Sequence, residues 1–268
     1  MMLGRFLRLG VVSLAGFVVA ASTAFGAAVA FPDKNLEAAV KAVLKDPKEG
    51  LTDENVGNVY ILEATGKEIK DLTGLEKCKN LSLIKLSKNQ IADLKPLKDL
   101  SNLQSLDLSG NKIVDMAPLA GLTKLQYLEL SNNQIEKIDA VGGLTKLSAL
   151  TLSNNKVADI TPIGNLAQLS SLFLEHNQIT DIAPLAKVTK LSCLDLKDNQ
   201  IVDIAPVAKQ TEIRILSLQR NKVADLAALA KACKEDAEKE KRFAPYLRLY
   251  LAGNPLSEEA KTKQTDAL

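Results

Sequence analysis

The chain is 268 residues long with a formal charge of +2, and both surplus positives, Arg5 and Arg8, lie in residues 1–30. The remainder balances 32 basic against 32 acidic residues, which excludes the basic stripe that a nucleic-acid partner needs. Cys78, Cys193 and Cys233 form neither a CxxC pair nor an even set, and the single histidine, His176, excludes a metal site built on several histidines.

Residues 1–30 have the three parts of a secretory signal: Arg5 and Arg8, an apolar run from Leu9 through Val19, then small residues before Phe31. Both Ala24-Phe25-Gly26 and Ala28-Val29-Ala30 offer a cleavage site. The expectation is an exported protein (periplasm, cell surface or secreted) with no membrane span once the signal is removed. The alternative is an uncleaved tether, since Leu9 to Ala30 is long enough to cross a bilayer.

Residues 31–58 read as a helical cap. Asp33 can cap a helix in which Leu36, Ala39, Val40, Val43 and Leu44 recur on one side. Such a helix suits the end of a stack, where apolar surface has to be covered.

The span 59–256 is a repeat array. Asparagine returns every 22 residues at Asn89, Asn111, Asn133, Asn155, Asn177, Asn199 and Asn221, each behind a Leu-x-x-Leu-x-Leu frame such as Leu103, Leu106 and Leu108. That period and frame define a leucine-rich repeat. Within the frame Leu128 and Leu130 are two apart and share one side of a strand, with Glu129 on the other. Stacking about nine turns at about 4.8 Å joins the leucines into one inner ladder and gives an outer strip of about 40 Å. Asparagine suits the bend after each strand, because its amide both donates and accepts. The phrase after it, as in Ile179-Thr180-Asp181-Ile182-Ala183-Pro184-Leu185, predicts a short 3₁₀ turn with aspartate capping and proline early in it.

Three departures stand out. Lys67 takes the asparagine position in a degenerate first turn. Lys137 and Ala140 replace the aspartate and proline after Asn133, with Gly142-Gly143 expected to loosen that turn. Asn254 follows Asn221 by 33 residues, so an enlarged turn with a longer outer helix is expected at 232–245, supported by Glu235/Lys239 and Glu238/Arg242 pairs. A polar tail, 257–268, follows. Across about seven turns, roughly 30 Å, Cys78 and Cys233 are too far apart for a disulfide.

The unit Leu-x-x-Leu-x-Leu-x-x-Asn-x-Ile-x-Asp-x-x-Pro-Leu, with Phe31-Pro32-Asp33, Leu51-Thr52 and Ile69-x-Asp71-Leu72-x-Gly74-Leu75-Glu76 ahead of it, resembles the internalin-type bacterial leucine-rich-repeat proteins. The resemblance spans about Phe31 to Leu256. It implies an α/β repeat: a right-handed solenoid with a parallel concave β-sheet, 3₁₀ turns on the convex side and an N-terminal helical cap. It also implies a partner bound on the concave face, as is common among secreted members.

Concave positions are those interleaved with the buried leucines. One column runs Lys85, Asp107, Glu129, Thr151, Phe173, Asp195, Ser217, Tyr250. Its neighbours run from Leu83 through Tyr127 and Ile215 to Arg248, and from Ser87 through Glu175 and Lys197 to Ala252. Exposed aromatics are the informative members. The partner-binding candidates are Tyr127, Glu129, Phe173, Glu175, Asp195 and Tyr250, with Asn254 closing the structural asparagine ladder. Glu175 and Lys197 are read as a surface ion pair, and His176 as a solvated rim residue with no orienting partner.

Asp107 and Glu129 lie about 5 Å apart in one column, a separation that suits a carboxylate pair, but an open sheet provides no pocket to tune them. No catalytic residue, metal site or cofactor is assigned. The reading is a non-catalytic exported monomer that binds a protein or peptide. A self-associating structural component of the cell envelope is the alternative, and an enzyme a distant third.

Overall fold

The computed structural model describes residues 26–239 and 246–267, so the apolar run of the expected leader and Arg242 lie outside the described residues. Two helices open the fold, α1 (Lys34–Val43) and α2 (Asp53–Val56). Nine strands of three residues then follow: β1 (Ile61–Glu63), β2 (Leu83–Lys85), β3 (Ser105–Asp107), β4 (Tyr127–Glu129), β5 (Ala149–Thr151), β6 (Ser171–Phe173), β7 (Cys193–Asp195), β8 (Ile215–Ser217) and β9 (Arg248–Tyr250). They form one parallel sheet in sequence order, each pairing with the next in register. This is a leucine-rich-repeat solenoid.

The alternation within the frame produces this directly. The middle residue of each strand through β8, from Leu62 to Leu216, is buried, while its two neighbours are more exposed in all but β8, where Ser217 is also covered. Strands of three residues bury too little to stand alone, so the core exists only as a continuous column shared between turns. On the other side of the coil, 3₁₀ turns such as Ala117–Gly121 and Ala183–Lys187 carry proline near their start, where no backbone donor is lost. Asp115, Asp159, Asp181 and Asp203 each accept a bond from the backbone N–H two residues on, at 2.8 Å, which fixes the entry to these turns.

The turn after Asn133 has no such aspartate, yet it is not loosened. Asp139–Gly143 forms the same 3₁₀ turn, because Val141 is fully buried and its N–H still donates to Ile138 C=O at 3.0 Å. Core burial holds this turn without the cap.

The asparagine ladder works backwards along the chain. Asn155 Nδ2 donates to Leu152 C=O in its own turn and to Leu130 C=O in the preceding one, both at 3.0 Å, and its Oδ1 accepts from Ile135 N–H at 3.0 Å. Asn89 does the same for the first turn, accepting from Lys67 N–H at 2.9 Å and Ile69 N–H at 3.0 Å. Because each asparagine serves the turn before it, the first turn needs none of its own. That is why lysine is tolerated at position 67. At the other end Asn254 accepts from Val223 N–H at 3.0 Å, so the ladder bridges the enlarged turn unbroken.

Helix α1 covers the β1 end of the core with Leu36 and Val40, both fully buried. Residues ahead of Phe31 already pair with the cap: Asp53 N–H donates to Ala27 C=O at 2.9 Å, and Val29 N–H donates to Leu51 C=O at 2.8 Å. Gly74 has a φ of +103°, and a Cβ there would lie 2.7 Å from the Phe31 ring, so this contact admits only glycine. At the far end, α3 (Ala227–Glu238) occupies the enlarged turn and starts earlier than the sequence suggested, with Lys231 and Glu235 as an ion pair along it at 3.8 Å. The tail is tied to it, since Gln264 Oε1 accepts from Leu226 N–H at 2.7 Å and Ala260 is fully buried.

Candidate functional site

The register turns the expected concave columns into physical rows. Lys85, Asp107, Glu129, Thr151, Phe173, Asp195, Ser217 and Tyr250 are successive partners across the sheet, and so are Leu83, Ser105, Tyr127, Ala149, Ser171, Cys193, Ile215 and Arg248. Phe173 and Asp195 are therefore side by side. Tyr250 lies two strands beyond Asp195, and Tyr127 stands two strands from Phe173 in the adjoining row.

Tyr127 is 55% exposed and Tyr250 46%, while Phe173 and Glu175 are half-buried. Tyr127 stands between Ser105 and Ala149, side chains too small to cover its ring. Ile215, 37% exposed, and Tyr246, 60% exposed, add apolar surface near β9, and Arg214 lies 5.5 Å from the centre of the Tyr246 ring.

The acids at the ends of strands are less free than their positions suggest. Asp107 Oδ1 accepts from the N–H and Oγ of Ser109 at 2.9 and 2.7 Å. Glu129 Oε1 accepts from Ser131 N–H at 2.8 Å, and Asp195 Oδ1 accepts from Lys197 N–H at 3.0 Å. Each carboxylate is bent back onto its own turn and helps the chain leave the strand. Among the described residues no group of three or more His, Cys, Asp or Glu side chains is placed to hold a metal ion.

One cluster escaped the sequence reading. His176 Nε2 lies 3.1 Å from Asp198 Oδ2, and Asp198 is also clasped by Arg220, whose Nη2 donates to Oδ2 at 2.6 Å and whose Nε bonds Oδ1. Lys197 Nζ sits 3.9 Å from the same carboxylate, so it turns to Asp198 instead of forming the expected pair with Glu175. His176 thus has an orienting partner after all. The Arg220 guanidinium holds the Asp198 carboxyl below its ordinary range against partial burial, with His176 and Lys197 adding to the effect. The signal was present in the sequence, since these residues are 22 apart. They occupy the position just before each ladder asparagine, where the backbone is left-handed at Lys88, Gly110, Asn132, Asn154, His176, Asp198, Arg220 and Gly253. Reading this position as a column would have found the cluster.

The thiols are poorly suited to nucleophilic work. Burial pushes Cys78 up to about 12 and Cys233 up to about 11, and half-buried Cys193 is raised by burial and by Asp195. A cleft of about 520 Å³ lies between α1 and β1, lined by Asn35, Ala38, Ala42, Val43, Glu63 and Lys67 among others, and it includes none of the concave candidates. No helix among the described residues is long and apolar enough to cross a membrane.

A coil of parallel strands with a one-period asparagine ladder and an open, partly apolar concave face defines a leucine-rich-repeat protein-interaction module. The family model for leucine-rich repeats in two copies matches residues 79–121, 101–143, 123–165, 145–187 and 167–209. An internalin (InlF) from Listeria monocytogenes is 32% identical, with a TM-score of 0.69 over 89% of this chain and 74% of that one. Internalin C2 (InlC2) from the same species is 35% identical, with a TM-score of 0.57 over 68% of this chain and 92% of that one. A leucine-rich-repeat protein of Leptospira interrogans, 21% identical with a TM-score of 0.57, shares the fold over 73% of this chain and 55% of its own. No curated protein matches the sequence. The chain belongs to the internalin-type leucine-rich-repeat proteins.

Proposed function

We propose that this protein is a non-catalytic binding module that is exported and recognises a protein or peptide on its concave face, with Tyr127, Phe173 and Tyr250 as anchors. The observation that carries the reading is Tyr127, a ring 55% exposed on the concave sheet with only Ser105 and Ala149 beside it. An amphipathic ring in that setting gains most when a partner covers it. Phe173 beside Asp195, with the His176, Asp198 and Arg220 cluster in the next turns, supplies a second anchor flanked by fixed charge. Glu129 and Glu175 add acceptors along the strip.

Export is supported by the tripartite leader, and the fold favours one of its two cleavage positions. Removal of residues through Gly26 leaves Ala27 and Val29 bonded to Asp53 and Leu51, whereas removal through Ala30 deletes both bonds. N-terminal sequencing of the exported form tests this, with Ala27 expected first.

The binding test is capture from envelope and culture fractions by the parent, beside Tyr127→Ser and Phe173→Ser variants with matched thermal melts. One partner held by the parent and lost by the variants is the expected result. Equal capture by all three proteins would overturn the concave assignment.

A further inference from the structure

Among the described residues the sheet ends on β9, and a specific set of its backbone groups has no strand to pair with there. In the preceding turn the forward-facing backbone groups are taken up: Arg214 C=O accepts from Arg248 N–H, and Leu218 N–H donates to Tyr250 C=O, each at 2.8 Å. The equivalent groups of the last turn are the C=O of Leu247 and Leu249 and the N–H of Leu249 and Leu251. No strand among the described residues lies beyond β9 to receive them. The core is also thinner here. Leu249 and Leu251 stay partly exposed, whereas Leu216 and Leu218 at the same positions one turn earlier are fully buried, and Leu247 and Leu256 are only partly buried against this end. The β1 end differs, being covered by α1.

Proteins commonly protect such an edge with proline, a bulge, a charge pointing inward or a covering element. The stretch Leu247-Arg248-Leu249-Tyr250-Leu251 has no proline, its core-facing residues are Leu249 and Leu251, and Leu247 adds an apolar side chain where other turns carry a polar one. We propose that β9 is a homodimer interface, on which a second copy places its own β9 antiparallel across a two-fold axis through Leu249.

The register follows from the ladder. Leu249 exchanges both backbone bonds with Leu249 of the second copy, and Leu251 N–H donates to Leu247 C=O across the axis. Side chains then match without alteration, with Leu247 opposite Leu251 and Arg248 opposite Tyr250, each pair occurring twice. Arginine over tyrosine is a favourable pair, and this chain already makes one between Arg214 and Tyr246. A single segment that supplies both halves of every pair selects a second copy over an unrelated strand. An antiparallel strand at the edge of a parallel sheet is a common arrangement. The two concave strips join into one, and a dimer replaces the monomer expected from sequence. This inference does not rest on the concave anchors Tyr127 and Phe173, and it shares only Tyr250 with them.

Light scattering and sedimentation, run over a range of concentrations on protein purified after expression of the full chain, test it. A concentration-dependent dimer is expected. Leu247→Lys should weaken it at least about tenfold. The fold tolerates that change because other turns carry Gln104, Ser148 and Arg214 at the same position. Tyr250→Glu faces Arg248 of the second copy and should retain the dimer, while Arg248→Glu combined with Tyr250→Glu sets like charges together and should abolish it. Melting curves matched to the parent separate loss of pairing from loss of fold. A monomer at every concentration, or a dimer unchanged by Leu247→Lys and by the double variant, overturns the proposal.

Discussion

His176 Nε2 lies 3.1 Å from Asp198 Oδ2, one turn further along the coil, and the same carboxylate is gripped from the following turn by Arg220. Three successive turns are thereby stitched along one rim beside the concave face. Asp198→Ala removes the shared acceptor and is expected to cost about 1 kcal/mol, since the bonds are charge-assisted but partly solvated. Urea unfolding at low and high salt checks this. The difference between parent and variant should shrink as salt rises.

Asn155 is the interior case of the ladder. Asn155→Ala leaves the N–H of Ile135 without its acceptor in a buried corner, while the carbonyls of Leu130 and Leu152 keep the amides of Asn133 and Asn177. A loss of about 1–3 kcal/mol is expected in urea unfolding, because an orphaned buried N–H bears its full desolvation cost. Asn155→Asp restores an acceptor for Ile135 but should not rescue fully, since its charge then faces the carbonyls of Leu130 and Leu152. Asn254→Ala, at the end of the array, should cost less.

Gln210 is fully buried, and its Oε1 has no hydrogen-bond partner. Its Nε2 donates to Leu185 C=O at 2.6 Å, but that carbonyl already accepts from Val188 N–H. Other turns carry Leu100, Leu122, Leu144 and Leu166 at this position. Gln210→Leu is therefore expected to stabilise the protein by about 0.5–2 kcal/mol, read as a raised melting temperature.

Asp33 joins the cap to the repeats. Its Oδ1 accepts from the N–H of Asn35 and Leu36 at the start of α1, and its Oδ2 from those of Lys70 and Asp71 at 2.8 and 3.3 Å. Burial opposes the charge, but the four backbone donors outweigh it and hold the carboxyl below its ordinary value. With the folded pKa depressed, its contribution is complete above the unfolded value of about 3.9 and is lost as pH falls through the folded value. Protection of the α1 amides, taken relative to their intrinsic exchange rate at each pH, should be high at neutral pH and fall in acid. Asp33→Ala should show low protection throughout, at a cost of about 1–2 kcal/mol.

The period of 22, the leucine frame and the asparagines determined the coil, its inner ladder and the rows of residues on its face, because each turn repeats one local solution and contacts only its neighbours. Local spacing could also place Asp33 before a helix and an insertion after Asn221. It could not show that Asp33 reaches Lys70 and Asp71, or that Asp107, Glu129 and Asp195 fold back onto their own turns. Nor could it show that Lys197 chooses Asp198 over Glu175. Those outcomes depend on which way a flexible polar side chain turns when several partners lie within reach, and only the assembled stack fixes the distances between them. The open edge at β9 is likewise a tertiary fact. Leu249 and Leu251 repeat the leucines of the other turns, and only their partial exposure marks the last strand among the described residues.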